Sequence, residues 1–263
     1  MQSRRDMPRL IALLLCLFPA YGARADQAAA ELLAWAIGDH RHVLLGEVHG
    51  TEEIPALVGH LAAMLGEAAP LLVALELPQT EQPALDAWLD SDGGPEARAR
   101  LLARPFWQRE RQDGRSSGAM LDLVERLRAL RAAGRRLTLL AYDAGDGPAQ
   151  EPAQLIAAAM RDRPQARLLL LAGNYRLGRE DPGSLGSALA GLDPLAFDVT
   201  AWTGTFWTCG DAPEAPCGRH RLEADATGQG PMLHADAALR ARGFAGQLIL
   251  ATFSASEPAV GPR

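Results

Sequence analysis

Lysine is absent from the chain, so all 26 basic residues are arginine. That absence excludes Schiff-base chemistry, the lysine-dependent machinery of β-lactamases and a Walker A phosphate loop, because each needs an amine. No serine follows a strand in the Gly-x-Ser-x-Gly pattern of a nucleophile elbow. No Cys-x-x-Cys-His haem-attachment motif occurs, and there is neither an internal repeat nor a low-complexity tract. Long apolar runs are missing too. The run Leu10 to Phe18 falls well short of the roughly 20 residues that a membrane-spanning helix needs.

What is present at the N-terminus reads as an address. Arg4, Arg5 and Arg9 precede the apolar run, and Ala23-Arg24-Ala25 supplies a small-x-small cleavage site, so residues 1–25 are expected to be a signal peptide. Leu15 before Cys16 speaks against lipid attachment. The expected product is a single domain of residues 26–263, exported and periplasmic, without stable membrane insertion. Removing four arginines and one aspartate with the leader lowers the net charge from −6 to −9. An acidic chain without basic clusters repels a phosphate backbone, which excludes a nucleic-acid partner. Two cysteines then remain, Cys209 and Cys217, in a Gly- and Pro-rich stretch. In an exported protein such a close pair is expected to form a local disulfide, contributing about 2–3 kcal/mol.

Hydrophobic periodicity alternates between two kinds of element. Ala29, Leu32, Leu33 and Ala36 predict a helix over 27–37 that ends at Gly38, and Val43 to Gly46 predicts a buried strand. Ile54, Leu57, Val58, Leu61 and Leu65 mark a helix begun by Pro55, and Leu71 to Leu77 is a second strand, apolar except for Glu76. Residues 79–118 read as a long excursion over the sheet, with one short helix at Leu85, Trp88 and Leu89. Ser116 is read as the N-cap of a helix carrying Met120, Leu123, Val124, Leu127 and Leu130. Strands at 137–142 and 167–172 flank a helix over 152–161, and a short helix is expected near 185–190. Phe197 to Trp202, a β-excursion at 205–209 and 217–222, and a last strand at 247–253 complete the chain. The fold class is α/β, with a mostly parallel central sheet, helices on both faces, and a small disulfide-pinned β-excursion near the C-terminus.

Four successive strands end in polar residues: Glu47 with His49, Glu76, Asp143, and Asn174 with Arg176. If the strands are parallel, these side chains share one edge of the sheet, where ligands of open α/β proteins bind. Such a set could hold a divalent metal through carboxylate and imidazole. It could equally place a general base and an orienting carboxylate around a water, with Arg176 facing developing negative charge. Structural roles compete with both. Glu47 and Glu76 could pair with Arg109 or Arg115, His49 could be a core histidine, and residues 143–148 carry turn chemistry that would occupy Asp143.

At these residues the chain resembles a family. Leu45-Gly46-Glu47-Val48-His49, the carboxylate in Leu75-Glu76-Leu77-Pro78, and Ala172-Gly173-Asn174-Tyr175 resemble the signature blocks of the superfamily joining erythromycin esterases, ChaN-type haem-binding proteins, and the Tiki and TraB/GumN proteins. The resemblance runs over about residues 40–180 and extends to Ala255-Ser256-Glu257-Pro258-Ala259. It implies an α/β fold with its site at the strand ends, and it matches His49, Glu76 and Glu47 to hydrolytic or metal-binding positions. Tiki-like members use paired Gly-x-x-His motifs for a metal. Here the first is Gly46 to His49, but the second is Gly173-Asn174-Tyr175-Arg176, and a guanidinium does not ligate metals.

The resemblance further implies that Gln112 to Ser117, with Asp113 and Arg115, contributes to the site of ChaN-like members as a lid. Haem would take His49 or Tyr175 as axial ligand. The expectation is therefore a hydrolase with catalytic residues His49, Glu47, Glu76 and Arg176, and with Asp143, Asn174, Tyr175, Arg115 and Asp113 contacting a small-molecule or cofactor ligand. His49 would be the general base, Glu76 its orienting carboxylate and Arg176 the stabiliser of negative charge. No metal ligand is assigned, and the cofactor stays open between haem and a divalent metal. The alternatives are a haem-binding protein of the ChaN type and a scaffold without chemistry.

Overall fold

The computed structural model describes residues 18–145, 148–210, 212, 214–223 and 228–261. Most of the expected leader and part of the 143–148 turn lie outside them. A seven-stranded sheet runs in the order β3-β2-β4-β1-β5-β9-β8. Its strands are β1 (His42–Glu47), β2 (Leu71–Pro78), β3 (Leu137–Asp143), β4 (Arg167–Gly173), β5 (Leu195–Ala201), β8 (Met232–His234) and β9 (Gly246–Leu250). Every pairing is parallel except that of β8 with β9. β6 (Thr205–Cys209) and β7 (Cys217–Arg221) form a separate antiparallel hairpin.

Continuous apolar runs make the central strands buried on both faces, and the period of two divides their side chains between two cores. Val43, Leu45, Val73 and Leu75 pack on one side with the helices α1 (Phe18–Ile37), α2 (Glu53–Ala68) and α3 (Gly118–Ala132). Leu44, Leu72, Ala74 and Leu170 face the other way, onto α4 (Gln150–Arg161) through Ile156 and Met160. The three layers follow directly. Each fully buried leucine in them contributes about 1.5–3 kcal/mol.

Several boundaries differ from those expected. α1 begins at Phe18 and so extends into the predicted leader. The cap of α3 is Ser117, whose hydroxyl accepts from Met120 N at 3.2 Å, while Ser116 Oγ donates to Gln112 Oε1 at 3.1 Å. The last strand of the sheet ends at Leu250, earlier than its apolar run suggested, because residues 252–258 leave the sheet to lace the site loops. β8 and the short helix Ala237–Ala241 were not foreseen, being too short to show a period.

The segment after β2 is an edge cover. Its helix Gln82–Leu89 lies along β3, the outermost strand on that side. Gln82 Nε2 donates to Leu139 O at 3.0 Å and Gln82 Oε1 accepts from Ala141 N at 2.7 Å. Arg131 Nη1 adds a bond to Leu137 O at 3.1 Å. One glutamine side chain thus stands in for the missing neighbour strand.

Beneath the strand ends, the buried Tyr142 hydroxyl donates to Leu171 O at 2.8 Å, tying β3 to β4 across β2. Tyr142→Phe removes that donor from a buried carbonyl and lowers the unfolding free energy by about 1–3 kcal/mol. Urea denaturation with an unchanged m-value measures it.

Candidate functional site

Parallel packing brings the four polar strand ends to one edge. β1 ends at Glu47, and the chain turns through His49 and Gly50, with Gly50 at φ +73°. Glu76 is presented by an irregularity in β2. Between the pairs Leu75–Ala141 and Pro78–Asp143, β2 uses one residue more than β3, as in a bulge, which re-aims a side chain near a strand end.

The Glu76 carboxylate is buried and fully engaged. Its Oε2 accepts from Gly173 N at 2.9 Å, and its Oε1 accepts from Arg176 Nη1 at 2.8 Å and Arg115 Nη1 at 3.3 Å. The same two guanidinium groups reach Asp143, Arg115 Nη1 to Oδ2 at 3.1 Å and Arg176 Nη1 to Oδ1 at 3.2 Å. Two anions and two cations thus close a ring. Asp113 anchors it from outside, accepting from Arg115 Nε at 3.1 Å and Nη2 at 2.9 Å, and from Arg109 Nη2 at 2.6 Å.

His49 stands between Glu47 and this ring. Its Nδ1 lies 3.1 Å from Glu47 Oε1 and its Nε2 lies 4.0 Å from Glu76 Oε1. Nδ1 is enclosed, and among the described residues Glu47 Oε1 is the group that faces it, at a distance that favours a proton between them although the angle is poor for a hydrogen bond. The ring remains 26% exposed, enough for a water to reach it.

Burial alone would lower the His49 pKa. Glu47 and Glu76 outweigh burial and the opposing Arg115, and hold it above its ordinary value. For Glu76, burial pushes the pKa up, but His49, Arg176, the Gly173 N–H and Arg115 together hold it below the usual carboxylate range. Arg115 and Arg176 are likewise lowered by burial and raised further by their carboxylates, so both stay charged.

These groups line a cleft of about 340 Å³ formed by His49, Glu76, Asp113, Arg115, Asp143, Gly145 and Arg176. Six of the expected site residues are therefore brought together, and Glu47 backs His49 from below. Asn174 and Tyr175 are placed differently. Asn174 packs over Gly46, where an added Cβ would come within 3.1 Å of it, and its Oδ1 accepts from Tyr175 N at 2.9 Å. Tyr175 is 89% exposed, outside the cleft lining.

The structural alternatives are met in part. Glu76 does pair with Arg115, whereas Arg109 goes to Asp113 and not to Glu47. Asp143 serves the ring and also accepts from Gly145 N at 3.3 Å. The tract expected to be a lid forms a wall, with Ser116 and Ser117 buried and Gln112 Nε2 bonded to Val260 O at 3.1 Å. Tyr142 and the buried Asp198, whose Oδ1 makes no hydrogen bond among the described residues, were missed. Both sit inside strands that look apolar in sequence. A larger groove of about 1310 Å³ runs along α2, α3 and residues 254–259, but no expected site residue lines it.

The donor set does not fit a divalent metal. The oxygens of Glu76 and Asp143 already face guanidinium groups, and no cluster of three His, Cys, Asp or Glu suited to a metal occurs among the described residues. Haem does not fit this cleft either, because its lining is ionic where a porphyrin needs apolar walls.

Fold and cleft together define an α/β protein with an ionic cleft, the candidate site, over the carboxyl ends of parallel strands. The chain shares its fold with a mutant of the erythromycin esterase EreC in an open conformation, at 13% identity and TM-score 0.64, over 88% of this chain and 95% of that one. It also shares it with a succinoglycan biosynthesis protein, at 11% identity and TM-score 0.57, covering 90% and 98% of the two chains. A protein from Bacillus cereus matches at 10% identity and TM-score 0.56, over 83% and 90%. The fold that the sequence resemblance implied is thus present. No protein-family model matches the chain, and no curated protein sequence does.

Glu76→Gln leaves two guanidinium groups facing a neutral amide, and should cost about 3 kcal/mol at pH 7, the scale for removing one partner of a buried ion pair. Because the folded Glu76 pKa is depressed, this stabilisation is present above about pH 4.5 and is lost as pH falls through the folded value. The difference between wild type and variant in denaturant titrations should therefore be smaller at pH 3 than at pH 7.

Proposed function

We propose that the protein is an exported hydrolase acting on an ester or related acyl bond, with His49 as general base. The observation that carries this reading is the imidazole held between two buried carboxylates at the mouth of an ionic cleft, one quarter exposed to water. Glu47 beside Nδ1 favours the proton there, which leaves Nε2 to take one from water. As the imidazolium forms, Glu47 and Glu76 stabilise it. Arg176 spends Nη1 on Glu76 and Asp143, and its Nε and Nη2 make no hydrogen bond among the described residues, leaving donors for the oxyanion of an attacked carbonyl.

Ester chemistry is supported by the shared fold with an erythromycin esterase. Export is supported by the leader pattern and by the Cys209–Cys217 disulfide, which belongs to an oxidising compartment. The residues of the cleft need no metal in this scheme, since two fixed guanidinium groups supply the positive charge.

His49→Ala should lower the hydrolysis of a panel of p-nitrophenyl esters by about 10²–10⁴-fold with an unchanged far-UV spectrum; full activity in that variant defeats the mechanism. The wild-type kcat/KM should rise with pH through a midpoint above 6.5, the ordinary histidine value, because a raised pKa delays formation of the neutral base. A midpoint at or below that value contradicts the assignment.

A further inference from the structure

The cleft is built from two segments remote in sequence, the turn carrying His49 and the tract carrying Arg115. Both are tied to the β6–β7 hairpin. Trp207 N donates to Gly50 O at 2.9 Å, and the Trp207 indole Nε1 donates to Gln112 O at 2.9 Å. Between these bonds the three backbones touch directly. A Cβ on Gly50 would lie 2.0 Å from Trp207 O, and one on Gly114 would lie 2.6 Å from both Gly50 Cα and Trp207 O. Gly50 and Gly114 have φ of +73° and +95°, so neither position accepts another residue without strain. His49 precedes the first glycine and Arg115 follows the second.

Elsewhere the hairpin is tied to the C-terminal segment, Thr205 N donating to Phe253 O at 2.8 Å, Thr205 Oγ1 accepting from Ala255 N at 3.2 Å and Arg219 pairing with Glu257 at 2.6 Å, but these bonds lie toward its open end. It has two strands, belongs to no larger sheet, and buries none of its residues fully. Isolated two-stranded hairpins are marginally stable at best. Cys209 and Cys217 are directly paired across the ladder, and their disulfide closes it two residues from Trp207. Arg111, from the same tract as Arg115, grips the loop beyond, donating from Nη1 to Ala215 O at 2.7 Å and from Nη2 to Gly210 O at 2.9 Å. A covalent crosslink thus sits at the loop end of an element that touches both walls of the cleft, as residues 256–260 also do.

We propose that the disulfide-closed hairpin is a positioning element of the site, and that the Cys209–Cys217 bond, acting through Trp207, keeps His49 and Arg115 in register. The cleft is assembled in the oxidised protein and loosened on reduction. A dithiol reductant donates two electrons and two protons to the S–S bond, giving two thiols and its own cyclic disulfide. The kinetic readout of this proposal rests on the hydrolase reading, but its spectroscopic readout does not.

The test uses the full-length protein in oxidised form, the same protein treated with dithiothreitol until two thiols beyond that of Cys16 are titrated, a Cys209→Ala/Cys217→Ala double variant, and Trp207→Phe. Trp207→Phe keeps an aromatic ring and the disulfide but loses the indole donor. The His49 titration is followed by NMR, with His49→Gln to assign the resonance. Glu47, Glu76, Asp143, Asp113, Arg115 and Arg176 all surround that ring, so its midpoint reports their placement.

The expected result is a His49 midpoint moved toward 6.5 in the reduced and double-variant proteins, a smaller shift in the same direction in Trp207→Phe, and an unchanged far-UV spectrum. Ester hydrolysis should lose about 100-fold in kcat, the scale of a 1 Å misplacement, with KM nearly constant. An unchanged His49 midpoint with both thiols free overturns the proposal. Wild-type protein that hydrolyses no ester defeats the hydrolase reading alone, and the His49 midpoint still decides the role of the hairpin. Should the double variant fail to fold, Trp207→Phe decides it: no shift there overturns the proposal.

Discussion

The burial of the Glu76 carboxylate is the constraint on which the rest of the site depends. A charged group taken out of water at the end of a central strand must find enough donors to replace its hydration. Glu76 finds them on three other segments: the amide that ends β4, a guanidinium from the first turn after it, and a guanidinium from the tract before α3. Asp143 binds the same two guanidinium groups and draws β3 into the arrangement. The polar cluster is therefore part of the architecture as well as the candidate site. A change that frees one of these guanidinium donors therefore also strands a buried charge.

Within the cluster, charges differ in how firmly they are set. Both guanidinium groups remain protonated across the biological pH range, and Glu76 and Asp113 remain ionised because they face them. His49 is the member that can change state near neutrality. Its raised affinity for a proton comes from carboxylates on two different strands, so the tuning is a product of strand order. β1 and β2 are not neighbours; β4 lies between them, and its terminal Gly173 leaves room for the imidazole. A Cβ there would come 3.1 Å from His49 Nε2.

Much of this was legible in the sequence because strand ends announce themselves. Continuous apolar runs broken by Glu47, Glu76, Asp143 and Asn174 are a strong local signal, and a parallel sheet turns that signal into proximity. The departure at Arg176 was legible as well, since a guanidinium where an imidazole is expected changes the chemistry. What could not be read is which groups meet. Nothing in the spacing of Arg109, Arg115 and Asp113 says that Arg109 serves Asp113 while Arg115 crosses to Glu76. Asn174 and Tyr175 sit in the same block as Arg176, yet a single short helical turn sends the three side chains in different directions. Gly50 and Gly114 resemble ordinary turn glycines until the Trp207 carbonyl is seen against both.

Gln82 carries a different consequence, for the protein in a crowded solution. A parallel sheet has two open borders, and an uncovered border is a template for the strand of another molecule. On one side the border is β3, where Gln82 occupies both an acceptor and a donor and Arg131 takes a further carbonyl. On the other, the reversed strand β8 is three residues long, too short to guide a partner in register. Both borders are closed by small local devices, so the sheet ends within its own chain and edge-to-edge stacking between molecules is discouraged at either side.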